Sequence, residues 1–155
     1  MITEKPDASL KAEIQVASEA ADKQIVTQTA GQMEREVSQK IQALYKRVLG
    51  HQLGRVTCQL FDSRIAIILE DSISQPVKLL LEDAQIELAQ RIRTDLDSAM
   101  QPQIKALLAS ILGVEVLDVL SDATLSTGRT GIIGVLSCPP SVRNPETISK
   151  DRKLK

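Results

Sequence analysis

Apolar residues recur at helical spacing from Met33 onward: Val37, Ile41, Leu44 and Val48, with Tyr45 and Leu49 widening the stripe. The pattern predicts an amphipathic helix, and Gly50 stands where a helix would stop. The period then changes to two in "RVTCQLFDSRIAIILED". A two-residue turn at Asp62-Ser63 places Phe61 opposite Arg64, Leu60 opposite Ile65, Cys58 opposite Ile67 and Val56 opposite Leu69. One face of this hairpin is then wholly apolar: Val56, Cys58, Leu60, Ile65, Ile67 and Leu69. The other is mixed: Thr57, Gln59, Phe61, Arg64, Ala66 and Ile68. Turn and alternation agree on this register.

Pro76, a suitable first-turn proline, opens a long helical stretch with Val77, Leu81, Ala84, Leu88, Ile92 and Leu96 on one side. Pro102 is expected to break or kink it. Ile104, Leu107, Leu108, Ile111 and Leu112 form the next stripe, and Gly113 ends it. A second hairpin follows, with strands expected over 115–125 and 130–137 and Thr127-Gly128 at the tip. Two-residue and three-residue loops both give tolerable faces, so its register stays open. "IQALYKRVLG" (41–50) and "IKALLASILG" (104–113) match at five of ten positions, and each precedes a hairpin. The order helix–hairpin–helix–hairpin predicts an α+β fold, a four-stranded antiparallel sheet with helices packed on one face.

Outside this span the pattern thins. Residues 1–30 form a polar extension whose narrow stripe, Leu10, Ile14, Ala17, Ala21 and Ile25, fits a marginal helix or a disordered tail. The domain proper is expected at 31–138. A flexible basic tail is expected at 139–155, where 143–155 hold five basic and two acidic residues.

Composition narrows the function classes. Aromatic residues are 1% and net charge is −1, which argues against nucleic acid as a partner. Cys58 and Cys138 lack a CxxC spacing and read as reduced thiols of a cytosolic protein. No apolar run approaches the roughly 18 residues of a membrane span, and the first residues carry no apolar signal core.

The candidate chemistry gathers around "DVLSDATLSTGRTGIIGVLS". A phosphate loop needs a glycine-rich turn between strand and helix followed by lysine. Here Gly128 and Gly131 fall between two strands, and no lysine follows. Ser121 and Ser126 lack the GxSxG context of a nucleophile elbow. Asp122 is unusual within a strand and is read as bonding Thr124, Thr130 or a local backbone group, or as a ligand contact. His51 is the only histidine, and nothing in the sequence ties it to a serine or to enough metal ligands. Glu82, Asp83, Glu87, Asp95 and Asp97 read as solvated helix-surface charges. No catalytic residue, metal ligand or cofactor is assigned.

Three segments together resemble a family: "LGHQLGRVTCQLFDSRIAIILED", "ISQPVKLLLEDAQIELAQRIR" and "ILGVEVLDVLSDATLSTGRTGIIGVL". The resemblance is to MpsC-like domains, linked to a sodium-translocating, membrane-potential-generating system. It covers about residues 31–138, and Ser121-Asp122 and Thr127-Gly128-Arg129 fit best. After Gly50 the family tends to a Gly-Arg-Gly-Pro-like run, where this chain has His51-Gln52-Leu53-Gly54-Arg55. The resemblance implies an accessory role beside a membrane ion- or bicarbonate-transport system, at the cytoplasmic face of the membrane.

The leading expectation is therefore a non-enzymatic accessory or regulatory domain acting by protein contact. It would form a homodimer through Phe61, Ala66 and Ile68, because an exposed apolar patch on a small domain often marks an interface. The rival is a ligand-sensing domain with a pocket near His51, Arg55, Asp122 and Arg129. A hydrolase is the third and weakest.

Overall fold

The computed structural model describes residues 28–149. The marginal helix expected around 10–25 lies outside them. Helix α1 (Ala30–Leu49) opens with a capping box: Thr29 Oγ1 accepts the Gln32 N–H at 3.1 Å, and Gln32 Oε1 accepts the Thr29 N–H at 2.9 Å. Strands β1 (Val56–Phe61) and β2 (Arg64–Leu69) follow, then α2 (Gln75–Glu82) and α3 (Ile86–Leu112). Strands β3 (Val116–Thr124) and β4 (Arg129–Leu136) complete an antiparallel sheet of order β1-β2-β4-β3. This is the expected α+β fold.

The first hairpin has the register read from the sequence, from Val56↔Leu69 to Phe61↔Arg64. Each hairpin follows a helix, and the two second strands, β2 and β4, pair at the centre of the sheet. The glycines that close the matching decapeptides do the same work. Gly50 (φ +62°) and Gly113 (φ +67°) end α1 and α3 in the left-handed conformation, where a Cβ is disfavoured.

The core lies between the helices and one sheet face. Val37, Ile41, Ile65, Ile67, Leu69, Leu108 and Leu112 are fully buried. Full burial of such a side chain is worth about 1.5–3 kcal/mol. Val48, expected on the buried stripe of α1, is instead exposed.

Four further details depart from the sequence reading. The helical stretch after Pro76 breaks at Ala84, not at Pro102. The Gln85 N–H bonds Leu80 O at 2.9 Å and the Ala84 N–H bonds Leu81 O at 3.2 Å, with Ala84 at φ +57°. This is a Schellman ending with alanine in the place glycine usually takes. Helix α3 runs through Pro102, whose side chain is exposed, while Met100, Ile104 and Leu108 bury the opposite stripe on either side of it. Burial of that stripe offsets the lost backbone bond. The second hairpin closes at Thr124↔Arg129, so its loop holds four residues, Leu125 to Gly128, not two or three. A bulge between Val116 and Asp118 also lets Leu117 fall outward. Finally, residues 139–149 pack against the domain. Val142 and Ile148 are buried, Asn144 Oδ1 accepts the Ala30 N–H at 2.9 Å, and the Asp62 N–H bonds Ser149 O at 2.7 Å.

Candidate functional site

Three of the four residues expected around one pocket, His51, Arg55 and Arg129, meet in a polar junction. The junction joins the loop after α1, the end of β2 and the tip of the second hairpin. Gly54 N–H bonds Glu70 O, and Glu70 N–H bonds Arg55 O, each at 2.8 Å. His51 Nε2 lies 2.6 Å from Asp71 O. A carbonyl only accepts, so Nε2 carries the proton. Arg129 Nε reaches Glu70 Oε1 at 3.3 Å, and Lys78 Nζ reaches Asp71 Oδ1 at 2.9 Å. The Lys78 hydrogen bond and charge hold the Asp71 carboxyl below its ordinary range. Ser72 Oγ lies 2.9 Å from Gly128 O and 2.7 Å from Thr130 Oγ1. These bonds tie the two hairpins together at one end of the sheet.

Asp122 stands elsewhere, on the edge strand β3. Its Oδ1 accepts the N–H of Ala123 at 2.8 Å, the local backbone bond that its place in a strand suggests. The same oxygen meets Arg93 Nη2 at 3.2 Å. Arg93 is a residue that reading the sequence missed. Its Nη1 is held by Asp97 Oδ2 at 2.7 Å, one helical turn away. Asp97 is thus not a solvated surface charge: its side chain is only 20% exposed. Burial raises its pKa, opposed by the Arg93 charge and reinforced by Asp122. Beneath the pair, Tyr45 is buried, and burial followed by the Asp97 charge pushes its hydroxyl pKa up. The i, i+4 spacing of Arg93 and Asp97 was the one readable signal; the reach to Asp122, 29 residues on, was not.

Arg93 lines a cleft of about 880 Å³. One wall comes from the α2–α3 break (Leu81, Ile86), the other from β3 and the hairpin tip (Asp122, Thr124, Leu125). Of the four residues expected to share a pocket, only Asp122 borders it.

The outer sheet face is the third feature. Across the sheet run Gln59–Ala66–Ile133–Leu120 and Thr57–Ile68–Gly131–Asp122. Ile68 is 44% and Leu120 54% exposed, and no helix among the described residues covers them. A trough of about 350 Å³ lies over Gly131, walled by Ile68, Leu120 and Ile133. The patch has an apolar centre and a polar rim of Thr57, Gln59, Arg64, Asp118 and Asp122, the anatomy common at protein interfaces. Phe61, expected here with Ala66 and Ile68, is half-buried at the margin beside Ser149.

Both sheet edges, in contrast, are blunted by the chain itself. On β1, Glu34 Oε1 accepts the Leu60 N–H at 2.8 Å. On β3, Asp118 Oδ1 takes the Val119 N–H at 3.0 Å as Asp122 takes that of Ala123. Three edge donors that could recruit a further strand are thereby occupied, and the charged side chains on the edges discourage pairing.

Among the described residues no helix is long and apolar enough to cross a membrane. A family model described as "Na+-translocating membrane potential-generating system (MpsC)" matches residues 29–138, from the N-cap of α1 to just past β4. No curated protein and no solved structure matches the chain.

Proposed function

The chain belongs to the MpsC family, and on that premise we propose that it is an accessory or regulatory domain without catalysis of its own. It works by protein–protein contact beside a membrane ion-transport system, from the cytoplasmic side, and pairs with a second copy. The observation that carries this reading is the uncovered outer sheet face, with Ile68 and Leu120 exposed around the Gly131 trough. Each is already about half buried, so covering what remains contributes about 0.7–1.5 kcal/mol per side chain. With donors on both edges taken by Glu34, Asp118 and Asp122, the face is favoured over an edge as the route to association. A two-fold pairing is the commonest closed assembly and lets one patch serve both partners.

The transport part of the reading rests on the family description and is tested separately. Full-length protein and an Ile68→Lys variant serve as baits in native membrane extracts. A transport component retained by the wild type and lost by the variant supports contact through the sheet face. Equal retention by both baits counts against that face, and no enrichment of membrane transport proteins counts against the transport role.

A further inference from the structure

We propose that the cleft between the α2–α3 break and the tip of the second hairpin binds a small organic carboxylate with an apolar body, anchored on Arg93 in competition with Asp122. Arg93 brings its guanidinium to the cleft. Its side chain is only 18% exposed, and its Nε is buried with no acceptor. The group is planar, and Nε and Nη2 together form a fork spaced for the two oxygens of one carboxylate. Asp97 takes Nη1 at 2.7 Å, which fixes the plane and leaves the other edge toward β3. Asp122 fills that edge poorly. It engages Nη2 alone, at 3.2 Å, through an oxygen it shares with the Ala123 N–H. Its side chain is 90% exposed, so it can swing into water at little cost.

A ligand carboxylate in its place would give both fork donors an acceptor. It would also leave the charge of the site unchanged, one carboxylate exchanged for another. The same count disfavours phosphate. Arg93 is the one cation among the described residues that line the cleft, it is already paired with Asp97, and a dianion in place of the Asp122 carboxylate would add a negative charge beside Asp97. Leu81, Ile86 and Leu125 supply an apolar wall for the ligand body, and Ile86 is 55% exposed as it stands. A volume of about 880 Å³ is within the size of small-molecule sites.

The test is calorimetric titration of the full chain with hexanoate as the probe and hexanamide as its uncharged counterpart. Hexanoate is expected to bind saturably and hexanamide not. Arg93→Lys keeps the charge but loses the fork, and is expected to weaken hexanoate about tenfold. Asp122→Asn removes the competitor and is expected to tighten it roughly two- to fivefold, the worth of one exposed ion pair. Circular dichroism establishes that the variants are folded. Should Arg93→Lys fail to fold, the exposed Asp122→Asn position decides alone. Equal binding of hexanoate and hexanamide overturns the proposal. So does affinity unchanged or weakened in Asp122→Asn, or no saturable binding by wild type and Asp122→Asn up to roughly 10 mM.

Discussion

Ile68 lies opposite Gly131 across the two central strands, and its Cδ1 stands 3.9 Å from where a Cβ at position 131 would sit. Three residues along β4, Gly134 lies opposite Ile65 on the other face, where a Cβ would stand 2.8 Å from Ile65 Cγ2 and 3.2 Å from Leu108 Cδ1. The two glycines therefore serve opposite purposes. Gly134→Ala should destabilise the fold by about 1–3 kcal/mol, the usual cost of overpacking a core. Gly131→Ala should leave the melting temperature nearly unchanged. Denaturant melts of both variants check the contrast, and equal losses would show that the outer face is as tightly packed as the inner one.

Ala84 holds a left-handed conformation at φ +57° and is exposed. Ala84→Gly should raise stability by about 0.5–1 kcal/mol, because relief of the Cβ strain exceeds the added chain entropy. A lower melting temperature would mean that α2 and α3 do not end and begin there in solution.

The C-terminal segment buries Val142 and Ile148 and caps the start of α1 through Asn144. Truncation after residue 138 should therefore destabilise the domain by at least about 2 kcal/mol, the order expected for losing two buried aliphatic side chains. Denaturant melts compare chains ending at residue 138 and at residue 149. Identical stability of the shorter and longer fragments would show that this segment contributes nothing.

Burial raises the folded-state pKa of Asp97. The folded state then holds its proton to higher pH than the unfolded state, so this contribution to stability is fully present below the ordinary aspartate range. It is lost as pH rises through the raised pKa. An Asp97→Asn variant lacks that loss. Its stability relative to wild type should climb as pH rises from the ordinary aspartate range, near 4. Parallel pH profiles from chemical denaturation would contradict the assignment.

The first hairpin was legible because two independent signals, the Asp62-Ser63 turn and the strict alternation of Val56, Cys58 and Leu60 with Ile65, Ile67 and Leu69, agree on one register. The helix stops at Gly50 and Gly113 were legible because glycine marks a left-handed end. The break at Ala84 was not, since alanine carries no such mark. Pro102 misled because propensity is local, whereas the stripe buried through Met100, Ile104 and Leu108 is tertiary. Leu125 looked like strand but belongs to the loop, which hid the loop length. Of the candidate site, the mixed outer face could be read from Ala66 and Ile68. The cleft could not, because Arg93 gains its meaning from a β3 residue brought beside it only by folding. Val142 and Ile148 were isolated apolar residues in a polar run, and nothing local announced their burial.

Self-association over the outer sheet face is tested by the solution mass, from light scattering, of wild type and Ile68→Lys at concentrations on the order of tens of micromolar. Ile68 is 44% exposed, so a lysine there should leave the fold intact by circular dichroism while placing charge in the contact. Wild type should have the mass of two chains of 16.9 kDa each, and the variant that of one. A wild-type monomer, or an Ile68→Lys variant that remains dimeric, would contradict it.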